Sequence, residues 1–144
     1  PSDSEYKVGV GKFLGGGVKL AKGDFYKELN AASLVICDHN QTTMIESMGA
    51  NRPTIIVWNS DYSKIDQLAV SFFEELAEVG IFYSCHTKAA AFINDILDKN
   101  AIDEWWRDTS RQNAVSSFVA EYCKRNDNWI VDYEEVLGIN KKCE

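Results

Sequence analysis

The sequence predicts an α/β fold, a three-layer Rossmann-like domain with a mainly parallel sheet. Two unbroken apolar runs, Leu34-Val35-Ile36-Cys37 and Ile55-Ile56-Val57-Trp58, have the length of strands covered on both faces. Between them Met44, Ile45, Met48 and Gly49 recur at helical spacing, and Asn51-Arg52-Pro53 stops that helix, because the residue before a proline is pushed out of the helical region. Strand, helix and strand in this order form a parallel crossover. Its turn, Asp38-His39-Asn40-Gln41-Thr42-Thr43, falls at the carboxyl end of a strand and the amino end of a helix. Open parallel sheets bind their ligands at that edge, and the helix end offers backbone amides to an anion.

A chain of 144 residues, 45% hydrophobic and 12% aromatic, reads as a single domain over 1–144. That length suffices to bury about 70% of the surface of the unfolded chain. The net charge of -7 is spread along the helices, which argues against a nucleic-acid partner. No apolar run approaches the ~18 residues of a membrane helix, and Pro1-Ser2-Asp3-Ser4-Glu5-Tyr6-Lys7 lacks the regions of a signal peptide, so a cytoplasmic protein is expected. Cys37, Cys85, Cys123 and Cys143 stand far apart with no metal-site spacing. They read as reduced thiols, and no metal is expected.

Along the chain, residues 6–20 carry five glycines among short alternating apolar pieces. Gly15-Gly16-Gly17 lacks the Lys-Ser/Thr of a P-loop and the G-x-G-x-x-G spacing, and is read as a turn between two strands. Starting so abruptly, the chain has the look of the back half of a longer protein. Asp24 is placed to cap a short helix with Phe25, Leu29 and Ala32 on one side. After the second strand, Asn59-Ser60-Asp61-Tyr62-Ser63 forms a polar loop. A long amphipathic helix follows with Ile65, Leu68, Ala69, Phe72, Leu76 and Val79 in its stripe, ended by Gly80. Ile81-Phe82-Tyr83-Ser84 is a short third strand, and Thr87 is expected to cap the next helix, with Ala89, Phe92, Ile93, Ile96 and Leu97 buried. One long helix is predicted from Ile102 to about Lys124, and a short one in the tail from Trp129 to Ile139.

Three groups of residues are candidates for chemistry. Asn40, Gln41, Thr42 and Thr43 supply donors at the helix opening, where the amides and the helix dipole favour a phosphate or diphosphate. Thr43 and Glu46, three apart, have two readings: a capping box, which spacing alone favours, or a Glu46 that accepts from the sugar hydroxyls of a nucleotide. His39 beside Asp38 has the chemistry of a proton shuttle or phosphate partner, and equally that of a loop residue bonded to backbone. Asn59, Ser60, Asp61 and Tyr62 face the same sheet edge. Asp66-Gln67 is a pair suited to two adjacent sugar hydroxyls, or else the wet face of a helix. Trp105-Trp106 either stacks on a ligand or seats a helix end, one ring buried and the other half exposed.

From about Val18 to about Trp129 the chain resembles the carboxyl-terminal part of a bacterial family of surface-carbohydrate biosynthesis transferases. The residues that carry the likeness are N-x-T-T-x-x-E from Asn40 to Glu46, N-x-P-T-I-I from Asn51 to Ile56, the Trp58-Asn59 step and Trp105-Trp106. The resemblance implies a GT-B glycosyltransferase fold, of which this chain is the donor-binding half. The turn is also similar to the donor site of the GT-B enzyme that adds N-acetylglucosamine to the lipid-linked peptidoglycan precursor. Carried over by position, Thr42 and Thr43 become phosphate contacts and Glu46 the ribose acceptor, which reverses the order of the two Glu46 readings. Asn40 replaces the glycine usual in that turn, and Asp66-Gln67 falls a few residues later than the acid–glutamine pair of such enzymes. The resemblance implies a nucleotide diphosphate-sugar as substrate, metal-independent transfer, and an acceptor-binding amino-terminal domain that supplies the base. Peripheral membrane association of the full-length protein is a further expectation. The rival readings are a noncatalytic α/β regulatory or protein-binding module and a polyol-phosphate transferase domain.

Overall fold

Two of the apolar runs pair side by side, as their composition predicts, and the rest of the fold follows from what covers them. The computed structural model describes residues 21, 23–59, 64–123 and 131. The glycine-rich segment, the loop residues Ser60, Asp61, Tyr62 and Ser63, and the predicted tail helix apart from Val131 lie outside the described residues. The chain divides into two units, Pro1–Ala32 and Ser33–Glu144. In the first, Asp24 caps α1 (Phe25–Ala31) by accepting the Tyr26 N–H at 2.8 Å. Leu29 is buried, whereas Phe25, expected on the same side, is exposed.

The second unit runs β1 (Val35–Cys37), α2 (Thr42–Gly49), β2 (Thr54–Val57), a 3₁₀ turn (Gln67–Ala69) leading into α3 (Val70–Glu78), β3 (Phe82–Tyr83), α4 (His86–Asp98), α5 (Ile102–Trp106) and α6 (Thr109–Tyr122). The strands are parallel in the order β1-β2-β3, with Cys37 opposite Ile56 and Ile56 opposite Phe82. Residues in register share a face. Phe82 meets Phe73 of α3 edge-on at 5.3 Å, while Tyr83 stacks on Phe92 of α4 at 5.7 Å. The sheet therefore lies between α3 on one side and α4 on the other. Both crossovers step the same way along the sheet, which places α2 on the α3 side. There α6 packs on both helices, through Phe118 against Phe73 at 6.1 Å and through the Cys123 thiol, which donates to the Ile45 carbonyl at 3.4 Å. The α/β, Rossmann-like three-layer fold is thus the one the sequence predicts.

Four local expectations are corrected. All of β2 is buried, but Ile36 of β1 is 52% exposed. It shares the α4 face with Ile55, and α4 packs chiefly on β2 and β3. Leu68, expected in a buried stripe, is 85% exposed because Asp66 accepts the Leu68 N–H at 2.9 Å and tightens this stretch into a 3₁₀ turn before α3 begins. Helix α4 starts at His86 with Cys85 in the capping position, so Thr87 lies inside its first turn, and Leu97 is exposed.

The predicted single helix from Ile102 onward is two. Asp108 breaks it by accepting the amides of Ser110 and Arg111 at 3.1 and 3.3 Å, which starts α6 afresh. Trp105 and Trp106 are both buried at that corner, against the expectation that one ring would be half exposed. Gly80 ends α3 as predicted, with φ of +73°, a conformation that costs a residue with a Cβ.

Candidate functional site

β1 and β2 are parallel neighbours, so both release the chain at one edge of the sheet. Helix α2 opens there. Gln41 occupies its capping position in extended conformation without a side-chain cap bond, and no acidic residue stands in the first turn. The positive end of the α2 dipole is thus not neutralised by a carboxylate from its own first turn.

The start of α2 at Thr42 also tells against one of the two readings of Thr43 and Glu46, the capping box. A capping box needs Thr43 in the capping position; the structure puts it one residue into the helix and Glu46 in the second turn, too far along to reach back. Thr42 is exposed, and Thr43 and Glu46 are half-buried.

Beside this helix end lies a cavity of about 160 Å³. Met44 and Ile45 of α2 form one wall, Ile65 and Ala69 before α3 another, and Phe73, Phe118 and Tyr122 the floor. Among the described residues, Asn40 and Asp66, with the Tyr122 side chain, bring polar groups to its lining. The structure therefore brings together Asn40 and Asp66, which the sequence separates. Asp66 already accepts the Leu68 amide, and Gln67 is exposed and outside the lining. Asn59 is half-buried two residues beyond β2. Asp61 lies outside the described residues.

Phe118 and Tyr122 reach the site from the far end of the unit. Their four-residue spacing marks them in the sequence as one helix face, but not as the floor of this cavity. Before them in the turn, His39 Nδ1 lies 2.6 Å from Asp38 Oδ1. Cys37, at the end of β1, is 2% exposed, and burial pushes its thiol up, partly offset by the Ser47 hydroxyl and reinforced by Asp38. It is a neutral packing group rather than a nucleophile.

A larger groove of about 420 Å³ separates α3 from α6, between Glu75 and Glu78 on one wall and Ser110, Asn113 and Ser117 on the other. The last turn of a crossover helix lies at the amino edge of the sheet, so this groove is remote from the α2 opening, and its carboxylates repel an anion. The smaller cavity is the better candidate for a phosphorylated ligand. Among the described residues, no group of three or more His, Cys, Asp or Glu is placed to hold a metal ion, and no helix is long and apolar enough to cross a membrane.

A parallel sheet that presents a helix opening and an adjoining cavity at its carboxyl edge defines a Rossmann-like α/β unit. The model of a family described as LIC12162 family transferase matches residues 12–137, most of the chain. This chain belongs to that family, and hence to a family of transferases. Neither a curated protein nor a solved structure matches it.

Proposed function

We propose that this chain binds the nucleotide diphosphate of a sugar donor and forms the donor-binding half of a GT-B-type glycosyltransferase in bacterial surface-polysaccharide biosynthesis. The observation that carries the reading is the opening of α2 at the carboxyl edge, without a carboxylate in its first turn and beside a cavity of mixed polar and apolar lining. Membership of a transferase family and the N-x-T-T-x-x-E likeness support it.

In this reading the α2 amides with Asn40, Gln41, Thr42 and Thr43 take the diphosphate. Glu46, one turn further on, accepts from the ribose hydroxyls. Asn59, Asp61, Asp66 and Gln67 belong to the sugar side. The site stabilises the departing nucleotide diphosphate by fixed dipoles and hydrogen bonds, without a metal. The base that activates the acceptor comes from an amino-terminal domain, so the isolated chain binds but does not transfer.

Calorimetric titration with a panel of nucleoside diphosphates tests this. One of them binds, and Glu46→Ala weakens it by about 1–3 kcal/mol, the size of a lost ligand hydrogen-bond pair. A panel in which none binds, together with a Glu46→Ala effect confined to thermal stability, returns the chain to a noncatalytic α/β module.

A further inference from the structure

We propose that the groove between α3 and α6 is the seat of this chain's own tail, with residues 129–139 lying along α6 as a helix and Lys141 and Lys142 meeting Glu75 and Glu78. The inference concerns the amino edge of the sheet and stands apart from the donor-binding reading.

The groove, about 420 Å³, lies between the last turns of α3 and the first turns of α6. On α6 its lining is Ser110, Asn113, Ala114 and Ser117, short side chains three and four residues apart that let another backbone come close. On α3 it is Glu75 and Glu78, with Val79 at the helix end. Among the described residues, no Lys or Arg lines it. Two carboxylates beside an apolar strip of Val79 and Ala114 suit an amphipathic helix with a basic end.

The tail has that character. On a helix, Trp129, Ile130, Tyr133, Val136 and Leu137 fall within about 120° of one another, and Val131 falls on the opposite side. Val131 is helical and 60% exposed, as such a stripe requires. Lys141 and Lys142 follow the stripe directly.

Length sets the register. The 14 residues of α6 rise about 20 Å, and a helix over residues 129–139 rises about 16 Å. Residues 124–128, with Asn126, Asp127 and Asn128, suit the short turn that joins antiparallel helices. Running back from the end of α6, the tail brings Tyr133 roughly level with Ser117, Leu137 with Ala114, and Lys141 with Ser110 at the amino edge, where α3 ends in Glu78. Seated there it braces α6, whose last turns carry Phe118 and Tyr122 to the smaller cavity.

The test is disulfide trapping in the full chain. It uses the native Cys143 and a second thiol placed either on the groove wall by Asn113→Cys or on the exposed side of α4, across the sheet, by Asn94→Cys. With glutathione disulfide as oxidant, peptide mapping is expected to find an intrachain link to Cys143 forming about 10-fold faster from position 113 than from position 94. Leu137→Asp should slow the link from position 113 about 10-fold, and Val131→Asp, on the opposite face, should leave it within about twofold. Lys141→Glu with Lys142→Glu should slow it about 5-fold at low salt, and adding Glu75→Lys with Glu78→Lys should restore it. Equal rates from positions 113 and 94, a Leu137→Asp variant that links as fast as its parent, or a charge swap that restores nothing overturns the proposal. A link formed only between two chains assigns the groove to a second copy and overturns it as well.

Discussion

The indole nitrogen of Trp106 donates to both the backbone carbonyl and the side-chain oxygen of Asn51, at 3.2 and 3.0 Å, tying the residue that ends α2 to the corner between α5 and α6. Gln112 closes the link: its amide donates to the Trp106 carbonyl at 2.7 Å and accepts from Asn51 Nδ2 at 3.2 Å. Asn51 sits at φ of +49°, which asparagine tolerates better than most residues. This clasp is at the amino edge of the sheet. It anchors the start of α6, whose last turns carry Phe118 and Tyr122 to the cavity at the opposite edge.

Removing the donor isolates its contribution. Trp106→Phe is expected to cost about 1–3 kcal/mol, because the Asn51 acceptors lose a partner in a partly buried position. Asn51→Gly keeps the left-handed backbone and loses the side-chain bonds, whereas Asn51→Ala loses both. Urea unfolding should rank Ala below Gly by about 1 kcal/mol. Equal midpoints for the two would mean that the backbone conformation matters little.

Gly80 carries two constraints at once. A Cβ there meets the Tyr83 hydroxyl at 3.2 Å, and the backbone is left-handed. Gly80→Ala is expected to cost about 1–2 kcal/mol from the backbone alone. Adding Tyr83→Phe removes the crowding oxygen, so the double variant should be less destabilised than the sum of the single ones. Strict additivity in thermal melts counts against the contact.

The described thiols differ in reactivity for opposite reasons. The Thr87 hydroxyl, at 3.2 Å, together with the Lys88 and Thr87 amides, holds the Cys85 thiol below the usual cysteine value, whereas burial pushes those of Cys37 and Cys123 up. A lowered value means more thiolate at neutral pH, and the thiolate is the reactive form. Brief alkylation of the native protein at pH 7, followed by peptide mapping, should label Cys85 well ahead of Cys37 and Cys123. Thr87→Val should slow the labelling. Labelling of Cys37 at the same rate would contradict the packing of β1.

Asp108 links stability to acid. Its bonds to the Ser110 hydroxyl and the Arg111 amide hold its carboxyl below the ordinary value of 3.8. In the window between the folded and unfolded values the unfolded chain binds more protons. The stabilisation is therefore complete above the ordinary value and disappears as the pH falls through the lowered one. Asp108→Ala should lower the melting temperature at pH 7 and flatten its decline below about pH 4. Asp108→Asn should retain most of the cap and lose the same acid response. An unchanged acid profile in both variants would assign the decline to other carboxylates.

Much of this fold is legible in the sequence. Apolar runs mark β1 and β2, Asp24 starts α1, Pro53 separates α2 from β2, and Gly80 stops α3, each through chemistry acting within a few residues. The errors share a cause. Leu68 fits a helical stripe, and Ile102 to Lys124 reads as one helix, because periodicity registers spacing but not a carboxylate that takes the next turn's amides, as Asp66 and Asp108 do.

The candidate site divides in the same way. The order of strand, polar turn and helix in the sequence determined that the residues from Asp38 to Thr43 would stand at a carboxyl edge, since a parallel crossover has no other place for that turn. Tertiary structure alone decided that Asn40 and Asp66 line one cavity floored by Phe118 and Tyr122, and that Ile36 is left uncovered. Those outcomes depend on which helix lies over which strand. Such contacts join residues far apart in the chain, where no local preference or spacing carries the information.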